Sequence, residues 1–435
     1  MNFNTILYRL GIDPSNFVNE DDEPIKTPNG FIYEVRQRTD IRKCPYCNSE
    51  DVIIHNVRPI EINCSETDHI EDILRIKKVR FKCKCCNKTF TPPINGIDRY
   101  SKTSNQTVSM IVKDFTKLMT FKDIGIRYGL TTARVIQIFD EKIRFVPRKS
   151  MPFVLCIDEI GFFEEPDQNY CCVLYDFDNR NIVDIVKNRR LDYLNEYFSS
   201  IPESERNHVK YFVSDMYDAY RTVRRKYFSK ALHIIDLFHV VSQLTRAVSK
   251  VRIKAMNEYG EGTIEYNFMK THWRLFICRK ENIPDKFYTS KKTGEIYHYD
   301  EMVFNCILRK PLLLEAYNIL QDLYHYNEYF FSFSEAYEFV IKLVKRLELT
   351  SEDVLIEVAD TYRKWAPEIA NGLAKNQNNK HYTNGIAESI NNHLKTIIKT
   401  AYGYHNFDRF RRRALIIKTY KKDLGCVPKS WPRLI

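Results

Sequence analysis

No stretch of 18 or more apolar residues occurs in this 435-residue chain, so no membrane-spanning helix and no membrane partner are expected. The opening, MNFNTILYRLGIDPSNF, lacks the charged, apolar and small-residue segments of a signal peptide, and a cytoplasmic location is expected. Low-complexity tracts and internal repeats are missing too, which sets aside linker-like and repeat architectures. Acidic residues are the minority: 56 Asp plus Glu stand against 67 Lys plus Arg, a net charge of +11. That excess favours a polyanionic partner. Hydrophobic content of 44%, with 13% aromatics, is ample for burial. The length suggests roughly two to four domains. Disulfides are not expected from the 12 cysteines, because six of them crowd into residues 41–95 of a large chain without a secretion signal. Metal binding explains that crowding better.

The pattern changes several times along the chain. Residues 1–40 read as a polar, partly helical lead-in with a loop at DDEPIKTPNG. Residues 41–95 interleave cysteines with short β-like runs such as DVIIHNV and RIKKVRFKC, and 96–147 turn helical. From residue 152 to about 240, FVLCIDEIGF, YCCVLYDF, NIVDIVK, KYFVSD and ALHIIDLF predict five strands of a mixed sheet. DFDNRN marks a hairpin turn, and helical patterns near 191–199 and 217–228 precede the fourth and fifth strands. Residues 241–375 look almost wholly helical, apart from a loop or hairpin near TSKKTGEIYHYDE. A polar segment then leads into a last block, 376–420.

Cys44 and Cys47 in CPYC, and Cys83 and Cys86 in CKCC, form two C-x2-C knuckles able to hold one tetrahedral zinc ion. Cys85 competes with Cys86, which preserves the spacing and precedes NKTFTP; Cys64 and His69 are weaker candidates. Such a closed site folds a zinc ribbon and does no chemistry. Beyond it, TFKDIGIRYGLTTARVIQIFDEKI predicts a helix-turn-helix with its turn at Gly129. Ile124, Leu130, Val135, Ile136 and Phe139 are spaced to pack the pair, Gly125 allows close approach, and Thr131 can cap the second helix. Thr132, Arg134 and Gln137 are left on the outer face, where a recognition helix meets base edges.

Asp158 ends the apolar run FVLCID and Asp215 ends VKYFVSD, so two buried strands each deliver an acid. Unpaired buried carboxylates are costly, and two together call for a shared cation. The helix NGIAESINNHLKTIIK has a single acid, Glu388, near its start, followed by neutral polar and basic groups. If Glu388 joins the aspartates, three carboxylates suit Mg2+ or Mn2+, two of which can activate a water or a DNA 3′-hydroxyl. Asn391, Lys395 and Lys399 would then face the DNA backbone, as would Arg409, Arg411, Arg412 and Arg413 in GYHNFDRFRRR. Asp192, Asp218 and Glu159 compete as ligands by position but fit less well.

VLCIDEIGF, VSDMYDAY, IIDLFHV and NGIAESINNHLKTIIKTAYGYHNFDRFRRRAL resemble the successive motifs of the ISL-three family of bacterial insertion-sequence transposases. The resemblance covers most of residues 41–420 and is weakest over 245–375. It implies a multidomain chain of α+β and α/β parts: zinc ribbon, helix-turn-helix, and a ribonuclease-H-like mixed-sheet core with a large all-helical insertion. It implies an Asp-Asp-Glu triad at Asp158, Asp215 and Glu388, and marks Asp236 and His239 of DLFH as accessory residues. The 173 positions from Asp215 to Glu388 make room for the insertion. The implied partner is double-stranded DNA, both terminal inverted repeats and target, bound by a homo-oligomer at the nucleoid. Two other readings stay open. One is a nuclease or resolvase without strand transfer; the other is a non-catalytic DNA-binding regulator, against which the intact acid triad argues.

Overall fold

The computed structural model describes residues 3–418 except 20–22, 29, 41–42, 64–71, 100, 163–169, 326–331, 376–380, 383–384, 402–403 and 405. Cys64 and His69 therefore lie outside the described residues. The chain divides into two compact units, one made of Met1–Pro147 with Lys395–Ile435, the other of Arg148–Leu394.

The first unit opens with helix α1 (Phe3–Arg9) and strands β1 (Phe17–Asn19), β2 (Ile25–Lys26) and β3 (Phe31–Gln37). Two long strands follow, β4 (Val52–Asn63) and β5 (Ile73–Cys83), then the short β6 (Thr89–Phe90). They form one sheet in the order β1-β3-β5-β4, with β2 on β3 and β6 on β5. The expected lead-in is thus partly sheet. Phe31–Gln37 alternates Tyr33 and Val35 into a core with Ile62, Leu74 and Ile76, and pairs parallel to β5. Period-two burial outweighs the polar composition around it.

Helices α2 (Asn105–Asp114), α3 (Phe121–Arg127) and α4 (Thr132–Lys142) complete this stretch. Thr120 and Asp123 form a reciprocal capping box on α3, and the Thr131 side chain caps α4. Between them Gly129 has φ of +62°, a left-handed turn that glycine adopts without penalty. A Cβ on Gly125 would lie 2.6 Å from the Leu130 carbonyl oxygen, so only glycine lets α3 approach the turn. Ile124, Val135, Ile138 and Phe139 are buried between the helices. Ile138 takes the core position expected of Ile136, which is half-exposed. Asp114, almost fully buried, anchors the group by accepting from Arg127 (2.9 Å) and the Tyr128 hydroxyl (3.0 Å).

In the second unit all five expected strands are present: β7 (Val154–Gly161), β8 (Tyr170–Asp176), β9 (Asn181–Val186), β10 (Tyr211–Ser214) and β11 (Leu232–Ile235). Their order is β11-β10-β7-β8-β9. β7, β8 and β9 form an antiparallel meander, while β10 and β11 run parallel to β7. Helices α5 (Leu191–Ser199), α6 (Glu203–Arg206) and α7 (Asp218–Tyr227) supply the crossovers. Leu194, Phe198, Tyr220 and Val223 bury one sheet face over Leu155, Ile157 and Phe212.

The remainder of this unit is helical: α8 (Leu237–Tyr259), α9 (Ile264–Thr271), α10 (Tyr299–Leu308), α11 (Pro311–Tyr324), α12 (Phe333–Leu349), α13 (Asp353–Lys364) and α14 (Ala366–Leu373). The expected hairpin is formed by β12 (Phe287–Thr289) and β13 (Ile296–His298). These helices build their own core around Leu244, Phe268, Phe276, Leu320, Tyr362 and Trp365. Helix α15 (Gly385–Thr400) carries the chain from the second unit into the first, where α16 (Phe407–Lys418) ends the described residues.

Candidate active site and metal centre

Strand register brings the first two expected acids level. β10 pairs with β7 through Tyr211↔Val154 to Val213↔Cys156; Asp215 directly follows β10, the same offset continued puts it level with Asp158, and the two charges act on each other. β11 continues the pattern, with Tyr211↔Leu232 to Ser214↔Ile235, and the Asp236 N–H donates to the Ser214 carbonyl (2.9 Å). Asp158 within β7 and Asp215 and Asp236 just past β10 and β11 thus belong to three neighbouring parallel strands, and the charges of Asp215 and Asp236 both bear on Asp158 or feel it. Asp236 also caps α8 by accepting from the Phe238 N–H (3.3 Å), and His239 Nε2 lies 3.8 Å from its carboxylate.

Burial dominates the electrostatics here. It raises the Asp158 pKa against the Glu159 backbone N–H and His239, which lower it, while the charges of Glu159 and Asp236 add to the rise. Burial also pushes Asp215 up to about 7; Glu159 and Asp158 reinforce the shift, and His239 and Arg189 oppose it. Asp215 Oδ1 is buried with no hydrogen-bond partner. Two crowded, desolvated carboxylates with an unsatisfied oxygen suit a hard divalent cation.

Helix α15 reaches the same place through Asn391. Its Nδ2 donates to Asp158 Oδ2 (2.8 Å), and its Oδ1 accepts from the buried Tyr175 hydroxyl. Asn391 is only 6% exposed, so it faces the acids and not a DNA backbone. An amide can satisfy a carboxylate and a phenol together, an option that a polar helix face does not reveal by itself. Glu388, one helical turn earlier, is exposed. Its carboxylate is not gathered as closely as the cysteine thiols: among the described residues, only those four form a set of three or more metal-ligating groups with all donor atoms within 4.8 Å. Of the competing acids, Glu159 accepts from Arg189 (2.6 Å) and the Tyr220 hydroxyl (2.9 Å), and Asp218 pairs with Lys364 (2.6 Å). Asp192 sits in the first turn of α5.

In the first unit Cys44, Cys47, Cys83 and Cys86 converge. Sγ–Sγ distances are 3.6 Å for Cys44–Cys86 and Cys47–Cys83. Four sulfurs about 2.3 Å from one ion would stand about 3.8 Å apart, so the pocket has the right size. Each knuckle closes on an asparagine with positive φ, Asn48 at 57° and Asn87 at 56°, a residue that tolerates the left-handed turn. Cys85 is exposed and outside the set.

The positions expected to meet base edges are placed differently from the basic run. Thr132 and Gln137 are exposed and Arg134 half-exposed on α4, with Gln137 donating to Glu141 (2.7 Å). Lys395 and Lys399 are exposed on α15. Arg409, by contrast, is bidentate to Asp140 (Nε 3.0 Å, a terminal nitrogen 2.7 Å), and Arg411 donates to the Val146 carbonyl. Arg412 is buried between Asp140 (2.9 Å) and the Ile143 carbonyl. Arg413, 2% exposed, donates to the Lys117 and Met119 carbonyls and lies over the Phe115 and Phe121 rings. Arg412 and Arg413 are therefore directed at the helix-turn-helix itself, which α16 completes. This explains why residues from Lys395 onward group with the amino-terminal unit. A basic run cannot disclose from sequence that its guanidinium groups find carbonyls and an aspartate more than 260 positions away.

The second unit thus gathers acids from neighbouring parallel strands, with helix α15 pinned to one of them through Asn391. Residues 155–414, more than half of the chain, match the model of a transposase family, the DDE transposases of the ISL-three type, and the chain belongs to that family. The chain is also 29% identical over 141 residues to a Lactococcus lactis subsp. lactis protein described as an ATP-dependent protease; the match spans 31% of this chain and 40% of that relative.

Proposed function

We propose that the protein is a DNA transposase that binds the terminal inverted repeats of an insertion sequence, cleaves at its ends and joins 3′-ends to target DNA. The observation that carries this is the level Asp158–Asp215 pair, with its orphaned buried oxygen, in a chain of the transposase family. The five-stranded order fits the ribonuclease-H-like core that the sequence motifs imply. Asp158, Asp215 and Glu388 are the residues to hold Mg2+ or Mn2+. The three carboxylates would not have to touch one another to share such metal binding between them. When bound, the ions activate a water or a 3′-hydroxyl and stabilise the leaving oxygen of the phosphodiester.

The chain's own groups prepare that chemistry. Asn391, oriented by Tyr175, holds the Asp158 carboxylate in one rotamer and fixes the Glu388 helix against the sheet. Asp236 secures the start of α8 and, with it, His239, whose positive form favours ionised aspartates. Four cysteine thiolates hold a structural zinc ion. Thr132, Arg134 and Gln137 read base edges, while Lys395 and Lys399 meet phosphates on a homo-oligomer assembled on DNA. The relative's protease name brings no ATP site with it: no G-x-x-x-x-G-K-[ST] loop occurs in the sequence.

The test is incubation of the purified protein with Mg2+ or Mn2+ and a duplex carrying the inverted repeats that flank its coding region. Nicks at the repeat ends and joined products are expected. Nicking without joining would favour a nuclease or resolvase, and binding without cleavage in either metal would leave a regulator.

A further inference from the structure

Strand β5 carries two groups of cations, and only one of them is neutralised. In its first half Arg75 pairs with Glu34 (2.6 Å) and Glu61 (2.8 Å), and Lys77 lies 3.3 Å from Glu34. In its second half Lys78, Arg80 and Lys82 alternate along the strand and share one face. The buried face changes over between the halves: Leu74 and Ile76 point into the core before it, and Val79, Phe81 and Cys83 after it. The three cations are therefore turned outward, Arg80 fully and its neighbours in part.

Exposed Arg58 on β4 stands directly opposite Lys78, a like-charge cross-strand pair that costs stability. Among the described residues no carboxylate pairs with Arg58, Lys78, Arg80 or Lys82; Arg80 donates only to the Thr89 hydroxyl (2.7 Å). Burial also lowers the Lys78 pKa, with no anion to offset it. A rise of about 3.4 Å per residue makes the Lys78–Lys82 row about 14 Å long. One strand of duplex DNA presents about four phosphates over that length. A rigid sheet holding cations at even steps suits a regular polyanion better than an irregular acidic protein surface.

We propose that this outward row of the cysteine ribbon, Lys78, Arg80 and Lys82 with Arg58 across from them, docks the phosphate backbone of double-stranded DNA separately from the base-reading helix. The proposal rests on the DNA transposase reading. It makes the ribbon a second anchor, indifferent to sequence, while α4 selects the site.

The full chain and a Lys78→Gln/Arg80→Gln/Lys82→Gln variant are titrated with a scrambled duplex across a range of salt. Loss of three phosphate contacts should reduce the slope of log K against log salt by about 2.7. A charge-matched Lys291→Gln/Lys342→Gln/Lys345→Gln variant of the helical segment should keep the parental slope, as should Lys78→Arg/Lys82→Arg. Zinc content equal to the parent's verifies that the ribbon has folded. An unchanged slope in the first variant, or an equal fall in the charge-matched one, overturns the proposal and leaves the transposase reading standing. A parent chain that binds neither scrambled nor terminal duplex overturns both.

Discussion

Asp140→Asn is the substitution whose effect can be worked out most fully. Asp140 sits on α4 and receives Arg409 and Arg412 from α16, the second of these with a side chain only 7% exposed. Breaking a fully buried ion pair costs about 3–5 kcal/mol, because the surviving charge is stranded. Here the Asp140 side chain is 34% exposed, and Arg412 keeps Asp408 and the Ile143 carbonyl. Water and these remaining acceptors should reduce the cost to about 2 kcal/mol. For a unit of this size that lowers the melting temperature by about 4–8 °C. Calorimetry at neutral pH measures it. Burial works to raise the Asp140 pKa, but the bonds from Arg409 and Arg412 outweigh it and hold the pKa below the usual carboxylate range. A depressed pKa contributes stability above the ordinary carboxylate pKa of about 3.9, lost as pH falls through the folded value. The gap between parent and variant should therefore close below about pH 4. Arg412→Met added to Asp140→Asn should recover most of the loss, since no buried charge is left unpaired. An Asp140→Asn protein that melts with the parent at neutral pH would refute the reasoning.

Replacing Cys83 and Cys86 together by serine should abolish a zinc content of about one per chain, read by elemental analysis; full retention would reject this ligand set. Asp215→Asn and Glu388→Gln should each slow strand cleavage by about 10³-fold or more in Mg2+ while duplex binding persists, and cleavage at the parental rate would remove that residue from the triad. Asn391→Leu should slow cleavage about tenfold through a disordered Asp158, worth about 1–1.5 kcal/mol, and an unaltered rate would make the amide merely structural. Arg134→Ala should narrow the preference for terminal over scrambled duplex by about 1–3 kcal/mol in competition binding; equal weakening on both duplexes would mean α4 is not the reader.

Elements with short-range causes were legible in the sequence. The two cysteine knuckles, the left-handed turn at Gly129, the close approach at Gly125 and the five strands of the second unit each follow from local spacing or local sterics. Asp158 and Asp215 each close an apolar run in the sequence, and the strands that those runs form, β7 and β10, are neighbours. What escaped depends on partners distant along the chain. Phe31–Gln37 looks unremarkable until β5 lies beside it, and in α4 it is Ile138, not Ile136, that is buried. Asn391 looks like a solvent-facing polar residue until Tyr175 and Asp158 surround it. The arginines of α16 show the same limit. Charge in a sequence reports the sign of a group, and only packing decides whether solvent, nucleic acid or the protein itself receives it.

The closure of the helix-turn-helix by Arg412 and Arg413 also has a consequence for synthesis. Helices α2 to α4 leave the ribosome before α16, yet the groups that satisfy the Lys117, Met119 and Ile143 carbonyls lie on α16, 269 to 296 residues later. Closing a loop of nearly 300 residues must precede the finished reading head, a slow, non-local step. A chain halted before Phe407 should therefore lack a stable α2–α4 helix group as well as α16, which limited proteolysis of a Met1–Asn406 protein would reveal by rapid cleavage within residues 105–142. On the proposed transposase reading, truncated products would then compete poorly for the inverted repeats, and the ends would pass to chains long enough to include both Glu388 and α16.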